Sequence, residues 1–194
     1  TRSLSSAASD VYKRQQNGPE DRLNATELTQ PALLTASYAL WLVAKNAGLT
    51  ADFVAGHSLG EYSALVASEV IAFEDAVRLV QTRGQLMQAA VPIGEGGMAA
   101  IMGLADDQVV AICEAVTLEA DGSVEPANLN APGQIVISGT KAALEIACAQ
   151  CVDSGAKRAV PLNVSAPFHS RLMEGAAEQM LSLIHISEPT RPMN

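Results

Sequence analysis

Apolar residues recur at helical spacing in the first half of the chain and alternate like strands in much of the second. Leu33, Leu34, Ser37, Leu40, Trp41 and Ala44 follow Thr29-Gln30-Pro31 and precede Gly48. This predicts a helix capped by Thr29, with Pro31 in its first turn, Trp41 in the core and Gly48 at its end. Asp52-Phe53-Val54-Ala55 reads as a short buried strand, and Glu61 to Ser68 as a helix. A further helix is predicted from Phe73 to Ala90, stopping before Pro92. Beyond Gly94-Glu95-Gly96-Gly97, which reads as a hinge, the period changes. Met98 to Met102 is a predicted strand, and Asp106 to Val116 a helix that Asp106 starts. Val124 to Leu129 and Gln134 to Ser138 are strands joined by the turn Asn130-Ala131-Pro132-Gly133. Lys141 to Ser154 is a helix closed by Gly155, and Ala159-Val160-Pro161-Leu162 a strand at an edge. The order over residues 97–162 is β-α-β-β-α-β, a ferredoxin-like subdomain inserted into a first domain. Val164 to Ser170 returns to that first domain, and Arg171 to Met180 begins another helix.

The centre of this pattern is Ala55-Gly56-His57-Ser58-Leu59-Gly60-Glu61. A Gly-x-Ser-x-Gly run between a strand and a helix reads as a nucleophile elbow. Gly56 and Gly60 are expected where a sharp turn crowds any Cβ, with Ser58 pushed out at the apex beside the positive end of the next helix. The bland alternative is an ordinary glycine-rich turn.

A hydroxyl nucleophile needs a base. The chain has three histidines. His57 adjoins Ser58, where backbone geometry turns neighbouring side chains apart, and His185 lies near the end of the chain. His169, on the loop after the predicted subdomain, is the base by elimination, although a loop histidine without a role is the simpler alternative. No acidic partner stands out in serine–acid–histidine order. Arg83 falls beside Leu79, Val80, Leu86 and Met87 on the apolar face of its helix, whereas Arg78 falls among polar residues. A guanidinium on that face answers to a structural ion pair, to a stem that snorkels outward, or to a clamp on a substrate carboxylate.

Composition narrows the classes. The chain has 194 residues, 48% hydrophobic and 17% charged, with formal charge −9. It lacks the basic, aromatic-interleaved patches of a nucleic-acid binder and any run approaching a membrane span. A soluble globular protein of the cytoplasm is expected, with neither nucleic acid nor membrane as partner. Cys113, Cys148 and Cys151 read as buried thiols; a metal site would need further ligands, so no metal is expected. Residues 1–15 and 181–194 resemble translated adapter sequence and are set aside, leaving an internal piece of a longer protein.

Four stretches together resemble one family: Thr29-Gln30-Pro31-Ala32-Leu33-Leu34, Gly56-His57-Ser58-Leu59-Gly60-Glu61-Tyr62-Ser63-Ala64-Leu65, Asn128-Leu129-Asn130-Ala131-Pro132-Gly133-Gln134 and Ala166-Pro167-Phe168-His169-Ser170. In order and spacing they are similar to the malonyl-CoA:acyl-carrier-protein transacylases of bacterial fatty acid synthesis. The resemblance implies a hydrolase-like α/β domain over residues 16–96 and 163–180, incomplete, around the ferredoxin-like insert. It implies Ser58 as the malonylated nucleophile, His169 as its base, the Leu59 backbone N–H as an oxyanion donor and Arg83 as the grip on the malonyl carboxylate. Met87, Asn128, Asn130 and Phe168 match cleft positions, Phe168 in the form associated with malonyl rather than methylmalonyl groups. It further implies malonyl-CoA and acyl carrier protein as partners. No cofactor is expected, because the CoA and phosphopantetheine thioesters are substrates. The family's amino-terminal Gly-Gln-Gly-Ser-Gln loop and its carboxy-terminal strands have no counterpart here. Alternatives are a polyketide-synthase acyltransferase domain, a serine hydrolase or thioesterase on the same elbow, and an inactive piece that only docks a carrier through Lys157, Arg158 and Arg171.

Overall fold

A computed structural model describes residues 25–187, with side chains described through Leu183. The segment 1–15 and residues 188–194 of the other end segment lie outside the described residues. Six α-helices and one four-stranded sheet account for the regular structure described: α1 (Thr26–Asn46), α2 (Gly60–Ala67), α3 (Phe73–Ala90), β1 (Gly96–Met102), α4 (Asp106–Glu119), β2 (Val124–Ala131), β3 (Gln134–Thr140), α5 (Lys141–Asp153), β4 (Arg158–Pro161), and, after a short 3-10 turn at Arg171–Met173, α6 (Glu174–Ser187). The chain divides into two units, one up to Gln85 and one from Leu86 onward. The division falls inside α3.

In the first unit, α1 starts at Thr26 rather than after Thr29, and Thr29 Oγ1 instead donates to the Ala25 carbonyl at 3.0 Å. The earlier start follows from packing against α3. A Cβ on Gly84 would lie 2.6 Å from the Glu27 Cα and 2.7 Å from the Thr26 carbonyl oxygen, so only glycine allows this approach. Pro31 therefore sits inside the helix, where it has no N–H to give. Gly48 ends α1 with φ +90° and donates its N–H to the Lys45 carbonyl, as expected.

The buried side of α1 keeps only part of the predicted face. Leu40 is 71% exposed, Leu33 is exposed and Trp41 is only half-buried, while Thr26, Gln30 and Leu34 point inward. Leu34 joins Val66 of α2 and Ala76 and Val80 of α3, with Tyr38 stacked on Phe73 at 4.6 Å between ring centroids. The strand expected at residues 52–55 is also absent: the segment forms no ladder, and Phe53 is 94% exposed. A strand exists by exchanging N–H and C=O bonds with a neighbour, and no strand lies beside this segment among the described residues.

The second unit follows the predicted element order closely. The sheet runs β2-β3-β1-β4 and is antiparallel throughout, with Ala99 opposite Ile137 and Ala100 opposite Val160. Alternation sends Ile101, Ile135, Ile137 and Val124 to one face, where Val109, Cys113 and Val116 of α4 and Ala143, Leu144, Ala147 and Cys151 of α5 cover them. Met98, Ala100 and Val136 face the other way, against Val164 and Phe168 of the loop after β4. β4 is an edge strand ending at Pro161, as its proline requires. Gly133 turns β2 into β3 with φ +73°. The final helix continues past Met180 through Ser187.

Two outcomes follow. Gly84→Ala should lower stability by about 1–3 kcal/mol, because backbone must move to admit the methyl, whereas Gly175→Ala, which meets open space in α6, should be neutral or stabilising by up to about 1 kcal/mol; chemical denaturation compares them. Burial, first among the causes, raises the Cys113 thiol to about 12 and that of Cys151 to about 11. The folded state thus holds protons that the unfolded state loses near pH 9. Stability is fully present below that pH and falls as pH rises through 11 to 12, by at most about 1.4 kcal/mol per pH unit per thiol; alkaline denaturation of Cys113→Ala should show a shallower decline.

Candidate active site

The turn between residue 55 and α2 is built around a crowded glycine. A Cβ on Gly56 would collide with the carbonyl group of Gly60 and the nitrogen of Glu61. Gly60 itself faces open space among the described residues, so the steric need expected at both glycines holds at Gly56 alone. The turn is locked by hydrogen bonds from the Gly60 N–H to the His57 carbonyl (2.9 Å) and from the Glu61 N–H to the Ser58 carbonyl (3.2 Å). Between them Ser58 takes φ +53°, a left-handed conformation that side chains other than glycine rarely adopt. Strain of this kind persists only where the surroundings over-determine it, and it clusters at functional sites. His57 is exposed, and Ser58 and Leu59 are half-buried. No hydrogen bond to the Leu59 N–H occurs among the described residues, which leaves a donor beside Ser58 at the start of α2.

Arg83 reaches this turn from α3. Its Nη2 donates to Ser58 Oγ at 3.2 Å and its Nη1 to Gln30 Oε1 at 2.7 Å. The guanidinium carbon lies 5.8 Å from the Tyr62 ring centroid. Gln30 is buried and donates its Nε2 to Thr26 Oγ1 at 2.9 Å, so two turns of α1 fix the arginine from behind. Burial lowers the Arg83 pKa, with Tyr62 and Glu61 opposing the shift; burial likewise raises that of Tyr62. Among the described residues, the partners of Arg83 are an amide oxygen, a hydroxyl and a ring. Arg78, by contrast, is exposed and pairs with Asp75 at 3.5 Å. A guanidinium held by neutral groups keeps its charge available for an incoming anion.

Gln30 and Tyr62 were not among the residues singled out by sequence. The signal for Gln30 was present as the i, i+4 series Thr26, Gln30, Leu34 on one face of α1, but two of those three residues are polar and apolar periodicity passes over them.

The remaining candidates lie in the second unit. His169 has φ +58°, left-handed like Ser58 and Glu69. Its loop is tied on both sides: Ser170 Oγ donates to the Pro167 carbonyl at 2.7 Å, and Gln88 Nε2 donates to the Ser165 carbonyl at 3.3 Å. Gly96 admits Pro167 where a Cβ would lie 2.6 Å from its ring. Phe168 packs on a cluster containing Met87, Val91 and Met173 and also on the sheet face of Met98 and Val136. Asn128 is half-buried on β2 opposite Val136, while Asn130 is exposed farther along the strand.

Comparison with known proteins follows the same lines. The family model described as "Acyl transferase domain" matches residues 9–193. A malonyl CoA-acyl carrier protein transacylase of Salmonella typhimurium is 52% identical over 189 residues, covering 95% of this chain and 60% of the relative. One from Staphylococcus aureus is 49% identical with the same coverage. A solved acyl-carrier-protein S-malonyltransferase from Burkholderia pseudomallei superposes with a TM-score of 0.87 at 50% identity, covering 95% of this chain and 61% of that one. A malonyl-transacylase solved in complex with a type II polyketide-synthase acyl-carrier protein superposes with a TM-score of 0.88 at 47% identity, covering 94% and 60%. The chain thus spans about 60% of the length of the relatives it matches.

Gln30→Leu keeps the volume of the side chain but takes the acceptor from Arg83 Nη1. Leaving that partly buried donor unpaired should cost about 1–3 kcal/mol of stability, measured by denaturation, while Gln30→Glu should retain the contact.

Proposed function

The chain belongs to the acyl transferase domain family, and from that premise we propose that it carries the serine half of a malonyl transfer from malonyl-CoA to the phosphopantetheine thiol of an acyl carrier protein. The observation that carries this reading is the Arg83 guanidinium 3.2 Å from the Ser58 hydroxyl on a left-handed turn. A hydrolase handling neutral esters has no use for a cation there. A malonyl thioester brings a free carboxylate, the anion that a guanidinium binds through two parallel hydrogen bonds.

In the proposed reaction, His169 takes the Ser58 proton as the oxygen attacks the thioester carbonyl. The Leu59 N–H supports the negative charge that develops on the carbonyl oxygen. Collapse breaks the C–S bond, the proton passes to the CoA sulfur, and malonyl remains esterified to Ser58. The carrier's thiol gives its proton to His169 and attacks the ester, returning Ser58 to its hydroxyl form. Arg83 holds the carboxylate through both steps. Met87, Asn128, Asn130 and Phe168 line the acyl path in this reading, with the Phe168 ring crowding an α-methyl group. The hydrolase-like and ferredoxin-like descriptions of the two domains belong to the same proposal; the element order β-α-β-β-α-β and sheet order β2-β3-β1-β4 support the latter. A polyketide-synthase carrier is the second reading of the acceptor, favoured by the likeness to the transacylase solved with such a carrier.

The test uses the full-length gene product. Ser58→Ala should abolish both transfer and the malonyl mass found on the protein after exposure to malonyl-CoA. Arg83→Ala should lower malonyl transfer by about 100-fold, the worth of a charged hydrogen bond of ~3 kcal/mol, while sparing acetyl transfer. Persistent malonyl labelling of Ser58→Ala, or equal losses for both acyl groups in Arg83→Ala, would refute the assignment.

A further inference from the structure

The loop that carries His169 is fastened by a residue outside every role assigned so far. Glu125 on β2 stands opposite Ser138, which stands opposite Met98 of β1. Paired residues of an antiparallel sheet share a face, so Glu125 lies on the face that Val164 and Phe168 cover. There its Oε1 accepts two hydrogen bonds from Arg171, one from the backbone N–H at 2.6 Å and one from Nε at 3.2 Å. Arg171 opens the helical turn two residues beyond His169, and its N–H is one of the donors that a helix start leaves without an internal partner. A carboxylate there makes a short, charge-assisted bond. On the other side of His169, Ser170 Oγ closes back on the Pro167 carbonyl. The left-handed φ of His169 is therefore held between two anchors, and Glu125 supplies the one that hydrogen-bonds the loop to β2.

We propose that Glu125 is a positioning residue, which sets the backbone of the His169 loop and so the aim of the imidazole. The inference rests on His169 as base in the reading above. The exposed guanidinium contributes little of the effect, since surface ion pairs are weak; the backbone N–H is the part that matters. Two consequences follow. Glu125→Gln keeps an oxygen for the Arg171 N–H and should behave nearly as the parent. Glu125→Ala removes it and should misplace the base without touching the grip on substrate.

The experiment measures malonyl transfer by the full-length protein alongside amide hydrogen exchange at Arg171 and the His169 imidazole NMR signal. Glu125→Ala should lower kcat by about tenfold or more with KM for malonyl-CoA within about twofold, speed exchange at the Arg171 amide and move the His169 signal. Glu125→Gln should restore all three. Arg171→Pro, which deletes the donor at a first helical position where proline is accepted, should reproduce the kcat loss. An unchanged kcat in Glu125→Ala, unchanged Arg171 exchange, or failure of Glu125→Gln to rescue would overturn the proposal. Absence of transfer by the unaltered protein would count against the function reading alone, because exchange and the imidazole signal still decide whether Glu125 holds the loop.

Discussion

The structure depends on one strained residue kept in place from two directions. Ser58 takes its left-handed conformation because Gly56 has no Cβ to strike the Gly60 carbonyl and because the following amides close back on His57 and Ser58. Its hydroxyl then meets a guanidinium that comes from a different helix. Local sequence makes the turn, and the crossing of α1 and α3 brings the charge. That crossing in turn depends on Gly84, which lets α3 lie directly on the backbone of Thr26 and Glu27. One glycine shapes the turn and another sets the approach of its partner.

The polar interior of α1 follows from this. Here Thr26 and Gln30 occupy the buried face and form a relay to Arg83, while Leu33, Leu40 and Val43 point outward. An arginine buried without an acceptor would be costly, and a carboxylate partner would neutralise it. An amide oxygen accepts from the guanidinium without neutralising it. Strain recurs in the second unit, where His169 is left-handed within a loop anchored by Ser170, Gln88 and Glu125. Both residues assigned to proton transfer thus sit on backbone that the surroundings hold out of its relaxed form.

Much of this was legible in the chain of letters, and the exceptions have causes. α3 appears with the bounds its apolar period and Pro92 indicated, and the second unit follows its alternating pattern because each strand finds its ladder partner inside that unit. The segment 52–55 has strand composition without a partner strand among the described residues, and composition alone makes no ladder. Apolar periodicity passes over Thr26 and Gln30 of α1 because both are polar, although they share the buried side of the helix with Leu34. Ser58 and Arg83 were found separately, one by its motif and one by an odd charge on an apolar stripe; their 3.2 Å contact depends on tertiary packing that no spacing rule encodes. Gln30 and Glu125 escaped notice for the same reason, since each matters through a partner tens of residues away.

The most direct test is a crystal structure of the full-length protein quenched during turnover with malonyl-CoA. The account predicts a malonyl ester on Ser58 Oγ, with its free carboxylate hydrogen-bonded to both terminal nitrogens of Arg83 and its carbonyl oxygen on the Leu59 N–H. A malonyl group attached to another side chain, or a carboxylate turned away from Arg83 toward solvent, would contradict it.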